Sequence, residues 1–194
     1  MTARSGEPHI ELIVEGKADL NAVPVLLRKH LHERGEYRDI LGKPIALHGV
    51  GNATKADGIE GFVSLAANRP GCVGVLVILD SDDECVVEMA SGLLSRLQGL
   101  TSKPVVIALA VRTYEDWLFS SIETLDIGEV EYKSDAKGIR QIEAALKGIG
   151  ESYSKPLWQP RLTHKMEISR ARERSSCLAR MLDRFDSLVE LIPA

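Results

Sequence analysis

The sequence predicts an α/β protein with a parallel sheet of about four strands flanked by helices, followed by a C-terminal helical extension. Strand-like apolar runs alternate with helical patterns four times before residue 125, as in a series of βαβ units. The third and fourth runs, 73–79 and 105–111, are continuously apolar, which is typical of parallel strands covered on both faces. Right-handed crossovers between such strands would place helices on both sides of the sheet.

Each strand candidate is followed by a helix candidate. The strands are predicted at 10–14, 44–48, 73–79 and 105–111. Apolar residues at helical spacing predict the first three helices: Leu20, Val23, Leu27 and Leu31, then Ile59, Phe62, Val63, Ala66 and Ala67, then Val86, Ala90, Leu93, Leu94 and Leu97. Thr113, with Asp116 three residues later, predicts the capped start of a short fourth helix.

The pattern changes beyond about residue 125. An amphipathic helix is predicted at 135–147, and the Gly, Ser and Pro residues of 148–160 indicate a loop. A helical tail follows, with one apolar stripe formed by Leu178, Met181, Leu182, Phe185, Leu188, Val189 and Ile192. We therefore expect an α/β core at 1–125 and a mostly helical, basic extension at 126–194 packed on that core.

Composition limits the class of protein. The 194 residues include 24 basic and 28 acidic side chains, so the net charge is -4, and 44% of the residues are apolar. These values exclude disordered, collagenous and disulfide-stapled chains. No apolar run is longer than a strand, and the N-terminus lacks a hydrophobic signal region. We therefore expect a cytoplasmic protein without a membrane partner.

Zinc is not expected in this chain. Cys72, Cys85 and Cys177 contain no Cys-x-x-Cys pair and are expected to be reduced thiols. His30 and His32 are two residues apart, so they point to different sides of a helix. We predict that both are surface histidines.

Carboxylates follow three of the predicted strands. Glu15 follows the first strand, Asp80 and Asp82 follow the third, and Glu115 follows the fourth. In a sheet of order 2-1-3-4, the first and third strands are neighbours at the switch point, where ligands bind in open α/β sheets. Converging carboxylates need a counter-charge, and oxygen-only ligands favour Mg²⁺ or Mn²⁺. The alternative is an acidic turn that only begins a helix.

Positive charge is concentrated in the tail. Residues 155–184 contain eight basic and three acidic side chains, a net charge of +5. Lys155, Arg172 and Arg174 are candidates for binding a nucleic-acid backbone, and Lys165 is a candidate for stabilising the transition state. The alternative is a solvated helix face whose arginines pair with nearby acids.

Two ordered motifs resemble a known superfamily. Residues 13–16, Ile-Val-Glu-Gly, with Asp19, and Asp80-x-Asp82 two strands later resemble the TOPRIM signature of bacterial primases, type IA and II topoisomerases and OLD-type nucleases. The resemblance implies a Rossmann-like (TOPRIM-type) fold in which Glu15 is a metal ligand or general acid/base and Asp80 and Asp82 are metal ligands. Asp83 and Glu84 are further acidic candidates.

The chain is similar over nearly its whole length to the DUF4276 group of uncharacterised TOPRIM-like proteins. The motifs that carry this similarity are Tyr114-Glu-Asp-Trp-Leu118, Tyr153-x-Lys155 and Ile168-x-x-Ala171-Arg172-x-Arg174-Ser175, followed by Leu178. The resemblance favours functional roles for Lys165, Arg172 and Arg174 over a solvated face.

The resemblance implies a Mg²⁺- or Mn²⁺-dependent nuclease that hydrolyses phosphodiester bonds, with a role in phage defence or mobile-element conflict. DNA is expected rather than RNA, and a protein partner or a homo-oligomer stays open. One alternative is a phosphatase or phosphotransferase of the haloacid dehalogenase type, although its Asp-x-Asp normally follows the first strand. Another is an inactive TOPRIM module that binds nucleic acid or a partner.

Overall fold

The computed structural model describes residues 6–82 and 84–193, so Asp83 lies outside the described residues. Within them, four parallel strands form one sheet: β1 (His9–Val14), β2 (Ile45–Ala46), β3 (Cys72–Asp80) and β4 (Val105–Ala110). The strand order is β2-β1-β3-β4, which is the order that the sequence hypothesis assumed. The predicted Rossmann-like α/β fold is confirmed, although β2 is shorter than its predicted span of 44–48.

Helices connect the strands and form the C-terminal part. They are α1 (Asp19–Glu33), α2 (Val50–Thr54), α3 (Gly58–Ala67), α4 (Val86–Arg96), α5 (Tyr114–Phe119), α6 (Gly138–Gly148), α7 (Lys155–Lys165), α8 (Ile168–Arg174) and α9 (Ser176–Val189), with a 3-10 turn at Ile122–Thr124. Thr113 lies at the start of α5, but its side chain makes no capping hydrogen bond. The predicted loop at 148–160 is wrong from Lys155 onward, where α7 begins.

Both faces of the sheet are buried, which explains the continuous apolar runs. Alternate strand residues point to opposite faces. Leu76 and Ala108 face a cluster that includes helices α1, α5, α7 and α9. Val77 and Ile107 face a second cluster that includes α3 and α4. The strands therefore have no solvated face on which polar residues could alternate.

The tail helices are part of the larger cluster. The predicted apolar stripe of α9 is buried at Leu178, Met181, Leu182, Phe185 and Leu188, and α9 packs on β3 and β4. Helix α7 packs along α1. This packing brings the start of α7 towards the carboxyl edge of the sheet, where β1 and β3 end.

One histidine prediction is wrong. His32 is exposed as predicted, but His30 is only 2% exposed. Its Nε2 lies 2.8 Å from Asp186 Oδ1. His30 therefore belongs to the interface between α1 and α9.

None of the helices in the described part of the chain is long and apolar enough to cross a membrane.

Candidate functional site: a carboxylate and lysine cluster

The ends of β1 and β3 bring Glu15 and Asp80 together. The two strands are hydrogen-bonded neighbours that run in the same direction, so they end at the same edge of the sheet. Glu15 follows β1 directly, and its Oε2 accepts a hydrogen bond of 2.9 Å from the backbone N–H of Asp80. The Asp80 Oδ1 atom accepts a 2.8 Å bond from the backbone N–H of Tyr114, in the first turn of α5. Both carboxylates are therefore held by backbone groups.

Glu115 enters the same cluster from α5. Its side chain is fully buried, and the Tyr153 hydroxyl donates a 2.5 Å hydrogen bond to its Oε1. Lys155 Nζ lies 3.5 Å from Glu115 Oε2 and 3.6 Å from Asp80 Oδ2. Lys155 thus bridges the carboxylates of β3 and α5 from the first position of α7.

Asp19 is a further carboxylate of the cluster and has a clear anchoring role. Its Oδ2 accepts a 2.9 Å hydrogen bond from the backbone N–H of Gly16, which fixes the turn between β1 and α1. Its Oδ1 accepts a 3.0 Å bond from Gln159 Nε2. Gln159 is fully buried on α7. Asp19 therefore ties the turn that carries Glu15 to the C-terminal part of the chain.

Burial and mutual repulsion change the acidity of these groups. Burial raises the pKa of Asp80 to about 8, against the opposing effect of Lys155, and Glu15 and Asp19 add to the rise. Burial also raises the pKa of Glu15 and Asp19. Burial acts to lower the pKa of Lys155, but Glu115, Asp80 and Asp19 together outweigh it and raise that pKa. The cluster therefore favours bound cations and protons.

Asp82 lies beside the cluster in a more open position. Its backbone is left-handed, with φ of 50°, and its N–H donates a 2.9 Å hydrogen bond to Arg112 O. The side chain is exposed and borders a cavity of about 570 Å³ together with Ser81 and Glu84. Its charge contributes to the raised pKa of Glu15. Asp82 is thus the solvent-facing carboxylate of the group.

Most of the chain matches the model of one protein family. The model of a domain of unknown function, DUF4276, matches residues 14–186. The chain belongs to the DUF4276 family. No curated protein matches the sequence. The matched region runs from the last residue of β1 into α9, so it includes every member of the cluster in this DUF4276 chain.

The cluster in this DUF4276 chain has the donor chemistry of a divalent-cation site. Glu15, Asp80 and Asp82 offer carboxylate oxygens, which suit Mg²⁺ and Mn²⁺, and burial disfavours the charges of Glu15 and Asp80 without a counter-ion. Among residues 6–82 and 84–193, however, no three His, Cys, Asp or Glu side chains are grouped as a metal would require. Binding would need side-chain rotation, most simply with Asp80 Oδ2 leaving Lys155.

The other predicted basic residues lie outside this cluster in the DUF4276 chain. Lys165 Nζ pairs with Asp126 at 2.6 Å. Arg172 pairs with Asp183 at 2.5 Å, and Arg174 pairs with Glu123 at 2.7 Å. Arg174 also stacks on the Tyr132 ring, with 4.7 Å from its Cζ to the ring centroid. Of the basic residues predicted from the sequence, Lys155 is the one that contacts the cluster carboxylates.

Three members of the cluster have no role predicted from the sequence: Asp19, Tyr153 and Gln159. Asp19 and Tyr153 lie within the motifs that resemble the family, and Asp19 is four residues from Glu15, so it begins the helix after the same strand. No sequence signal indicates Gln159, which reaches the cluster through the packing of α7 on α1.

Proposed function

We propose that the protein hydrolyses phosphodiester bonds of nucleic acid, with Mg²⁺ or Mn²⁺ bound by Asp80 and Asp82 beside Glu15. The observation that carries the proposal is the hydrogen bond from the backbone N–H of Asp80 to Glu15, which holds the Glu15 carboxylate beside Asp80 at the switch point of the sheet. Ligands of open α/β sheets bind at this place. The strand order and the spacing of these acids also favour a TOPRIM-type relationship.

In this proposal Glu15 accepts the proton of the attacking water. Burial raises the pKa of its carboxyl, which makes it a stronger base than an ordinary glutamate at neutral pH. One oxygen of Glu15 is held by the Asp80 N–H, so the other oxygen can face the water. A fixed orientation of this kind favours proton transfer because no rearrangement precedes it.

Lys155 would stabilise the negative charge that develops on the phosphate. Its ammonium group is held between Asp80 and Glu115, and its side chain is 41% exposed, so a substrate can reach it. Glu115 was predicted as a metal ligand, but its oxygens face Tyr153 and Lys155. We therefore assign Glu115 the task of positioning Lys155.

The metal ion, when bound, would neutralise phosphate oxygens and lower the pKa of a bound water. Asp80 and Asp82 would hold it beside Glu15. The open position of Asp82, at the border of the 570 Å³ cavity, supports an approach of the substrate from that side. DNA is the first substrate to test.

The test is a cleavage assay with purified protein. Supercoiled plasmid, linear duplex, single-stranded DNA and RNA are incubated with Mn²⁺, with Mg²⁺ or with EDTA. We expect metal-dependent cleavage, and we expect the near-isosteric changes Glu15→Gln and Asp80→Asn each to lower the rate by about 100-fold or more. Lys155→Met is expected to lower the rate by a similar factor.

Matched controls make the outcome decisive. Lys147→Met removes an exposed lysine of α6 and should leave cleavage unchanged. Cleavage that persists in both Glu15→Gln and Asp80→Asn would disprove the proposed site. Turnover of a phosphomonoester such as p-nitrophenyl phosphate without cleavage of nucleic acid would favour the phosphatase alternative. Binding of DNA without cleavage under every metal condition would favour the inactive module.

A further inference from the structure

In the part of the chain that the structure describes, the outer side of β4 is an open edge of the sheet. β4 is the last strand in the order β2-β1-β3-β4. Val75 N–H donates to Pro104 O, and Ser81 N–H donates to Ala110 O, both at 3.0 Å. Because pairing alternates along a parallel strand, the N–H and C=O groups of Val105, Ile107 and Leu109 point away from β3. They can pair with a further strand.

A groove runs along this edge between α4 and α9. Its volume is about 430 Å³. On the α4 side, Val87 is 70% exposed and Leu94 is 38% exposed, and both line the groove. Large apolar side chains at this exposure, next to an open strand edge, are typical of an interaction surface rather than of a free edge protected by charge.

The α9 side of the groove is basic. Arg180 and Arg184 line it, and both are exposed. Arg170, Arg172 and Arg174 of α8 are paired with acids. Across the described ranges 6–82 and 84–193, by contrast, Arg180 and Arg184 make no hydrogen bond, ion pair or ring contact. Arg180 and Arg184 therefore stand together at the open edge without an acidic partner among the described residues.

We propose that β4 accepts an extended segment of a partner protein as a fifth strand, and that this segment alternates acidic and apolar side chains. Alternate side chains of an added strand point to opposite faces of the sheet. Acidic side chains would meet Arg180 and Arg184, and apolar side chains would meet Val87 and Leu94. Strand addition supplies affinity through the backbone and specificity through the alternate side chains.

A second copy of the chain fits this edge less well. Antiparallel pairing of β4 with its own copy has a twofold axis perpendicular to the sheet, so α9 would lie beside α9. Arg180 and Arg184 would then face the same arginines of the other copy. Nucleic acid also fits less well, because it offers no N–H and C=O ladder to the strand and no apolar side chains to Val87.

The test uses a fluorescein-labelled peptide of seven residues that alternates valine and glutamate, with blocked ends. We expect saturable binding by fluorescence anisotropy, and slower hydrogen exchange at the Ile107 and Leu109 amides. A peptide with lysine in place of glutamate should bind about tenfold more weakly or worse. A peptide N-methylated at the amides that would pair with β4 should lose a similar factor, because it cannot complete the ladder.

Charge reversal gives the sharpest outcome. Arg180→Glu with Arg184→Glu should reverse the preference, so that the lysine peptide binds more tightly than the glutamate peptide. Both positions are exposed, and an unchanged melting temperature would show that the variant folds. The matched control is Arg140→Glu with Lys147→Glu, which makes the same charge change on the exposed surface of α6 and should leave binding unchanged.

Four results would overturn the proposal. The first is the absence of saturable peptide binding, and the second is equal binding of the acidic and lysine peptides. The third is full binding of the N-methylated peptide. The fourth is the binding of a different partner at this edge. A second copy would be shown by a dimer in sedimentation whose β4 amides are protected from hydrogen exchange. Nucleic acid would be shown by a single-stranded oligonucleotide whose binding requires Arg180 and Arg184, while the peptide does not bind.

Discussion

The backbone N–H of Asp80 donates a 2.9 Å hydrogen bond to the carboxylate of Glu15. This contact joins the last residue of β3 to the residue that follows β1. The Tyr114 N–H then donates to Asp80 Oδ1, so β1, β3 and α5 meet at Asp80. The chemistry at the carboxyl ends of β1 and β3 therefore depends first on the protonation state of Asp80.

The free energy of unfolding should fall as the pH rises from about 4 to 8. Burial raises the pKa of Asp80 to about 8 from an ordinary value of 3.8. Between pH 3.8 and about 8 the folded protein keeps a proton on Asp80 that the unfolded chain has released. The contribution of Asp80 to the free energy of unfolding is therefore fully present below pH 3.8, and it is lost as the pH rises through about 8. The slope reaches about 1.4 kcal/mol per pH unit for one such group. Urea unfolding in EDTA from pH 5 to 8 measures it.

Two variants separate Asp80 from the other acids. Asp80→Asn removes the titrating group and should flatten the slope, leaving the smaller contributions of Glu15 and Asp19, whose pKa values are also raised. Asp126→Asn changes an exposed carboxylate on the surface and should leave the slope as it is. An unchanged slope in Asp80→Asn would contradict the assignment.

Lys155→Met should destabilise the protein because it leaves Glu115 without a counter-charge. Glu115 is fully buried, and removing one partner of a buried ion pair is costly. Since Lys155 is partly exposed, we expect a loss of about 2 kcal/mol in the free energy of unfolding, measured by urea unfolding at pH 7. Lys147→Met should stay within about 0.5 kcal/mol of the parent protein.

A second substitution tests the cause of that loss. Glu115→Gln in the Lys155→Met background removes the buried charge and keeps an oxygen that can accept the Tyr153 hydrogen bond. It should restore at least half of the lost stability. If the double variant is less stable than Lys155→Met alone, the loss comes from packing of the lysine stem rather than from charge.

The parallel strands, with Glu15 and Asp80 at their ends, could be predicted from the sequence for a physical reason, whereas the strand order was assumed. A strand buried on both faces leaves a continuous apolar run, and the run in β3 ends at Asp80. The position of Lys155 could not be predicted in this way. Pro156 and Pro160 gave its surroundings the pattern of a loop, whereas Pro156 occupies the first turn of α7, where proline is tolerated.

The sequence also could not predict which charged residues pair with each other. A count of charges shows that the tail is basic, but it does not show that Arg172 pairs with Asp183 while Arg180 has no partner among the described residues. The burial of His30, by contrast, could have been predicted from its position in the sequence. It lies three residues after Leu27 and seven after Val23, on the apolar side of α1, and that spacing places it in the core.

Gly138→Ala should destabilise the contact between α5 and α6. A Cβ at Gly138 would lie 2.5 Å from Glu115 O and 2.8 Å from Asp116 Cα, and backbone atoms cannot move aside as a flexible side chain can. The Gly138 N–H also donates a 2.6 Å hydrogen bond to Asp116 Oδ1. We expect a loss of about 1–3 kcal/mol in thermal or urea unfolding.

The end of the same helix provides the control for Gly138. A Cβ at Gly148 meets nothing within 4 Å, so Gly148→Ala should be neutral or slightly stabilising, because alanine favours helix over glycine. Because the backbone of Glu115 would be displaced in Gly138→Ala, that variant should also lose cleavage activity. Equal stabilities of the two alanine variants would show that α6 can shift away from α5 without cost.

Asp186→Ala should weaken the docking of α9 on α1. Asp186 Oδ1 lies 2.8 Å from His30 Nε2, and its Oδ2 accepts a 2.6 Å bond from Arg34. Because His30 is buried, the alanine variant leaves its ring nitrogen without a partner, at a cost of about 1–3 kcal/mol. Urea unfolding measures the loss, and hydrogen exchange should show faster exchange in α9.

Asp183 provides a matched comparison one turn earlier on α9. Its side chain is 63% exposed and pairs with Arg172 on the surface, so Asp183→Ala should cost no more than about 0.5 kcal/mol. Asp186→Asn should fall between the two, since its amide oxygen can still accept from His30 while the charge opposite Arg34 is lost. Equal losses for Asp183→Ala and Asp186→Ala would mean that the His30 contact adds nothing to the interface, because exposure is the main difference between the two aspartates.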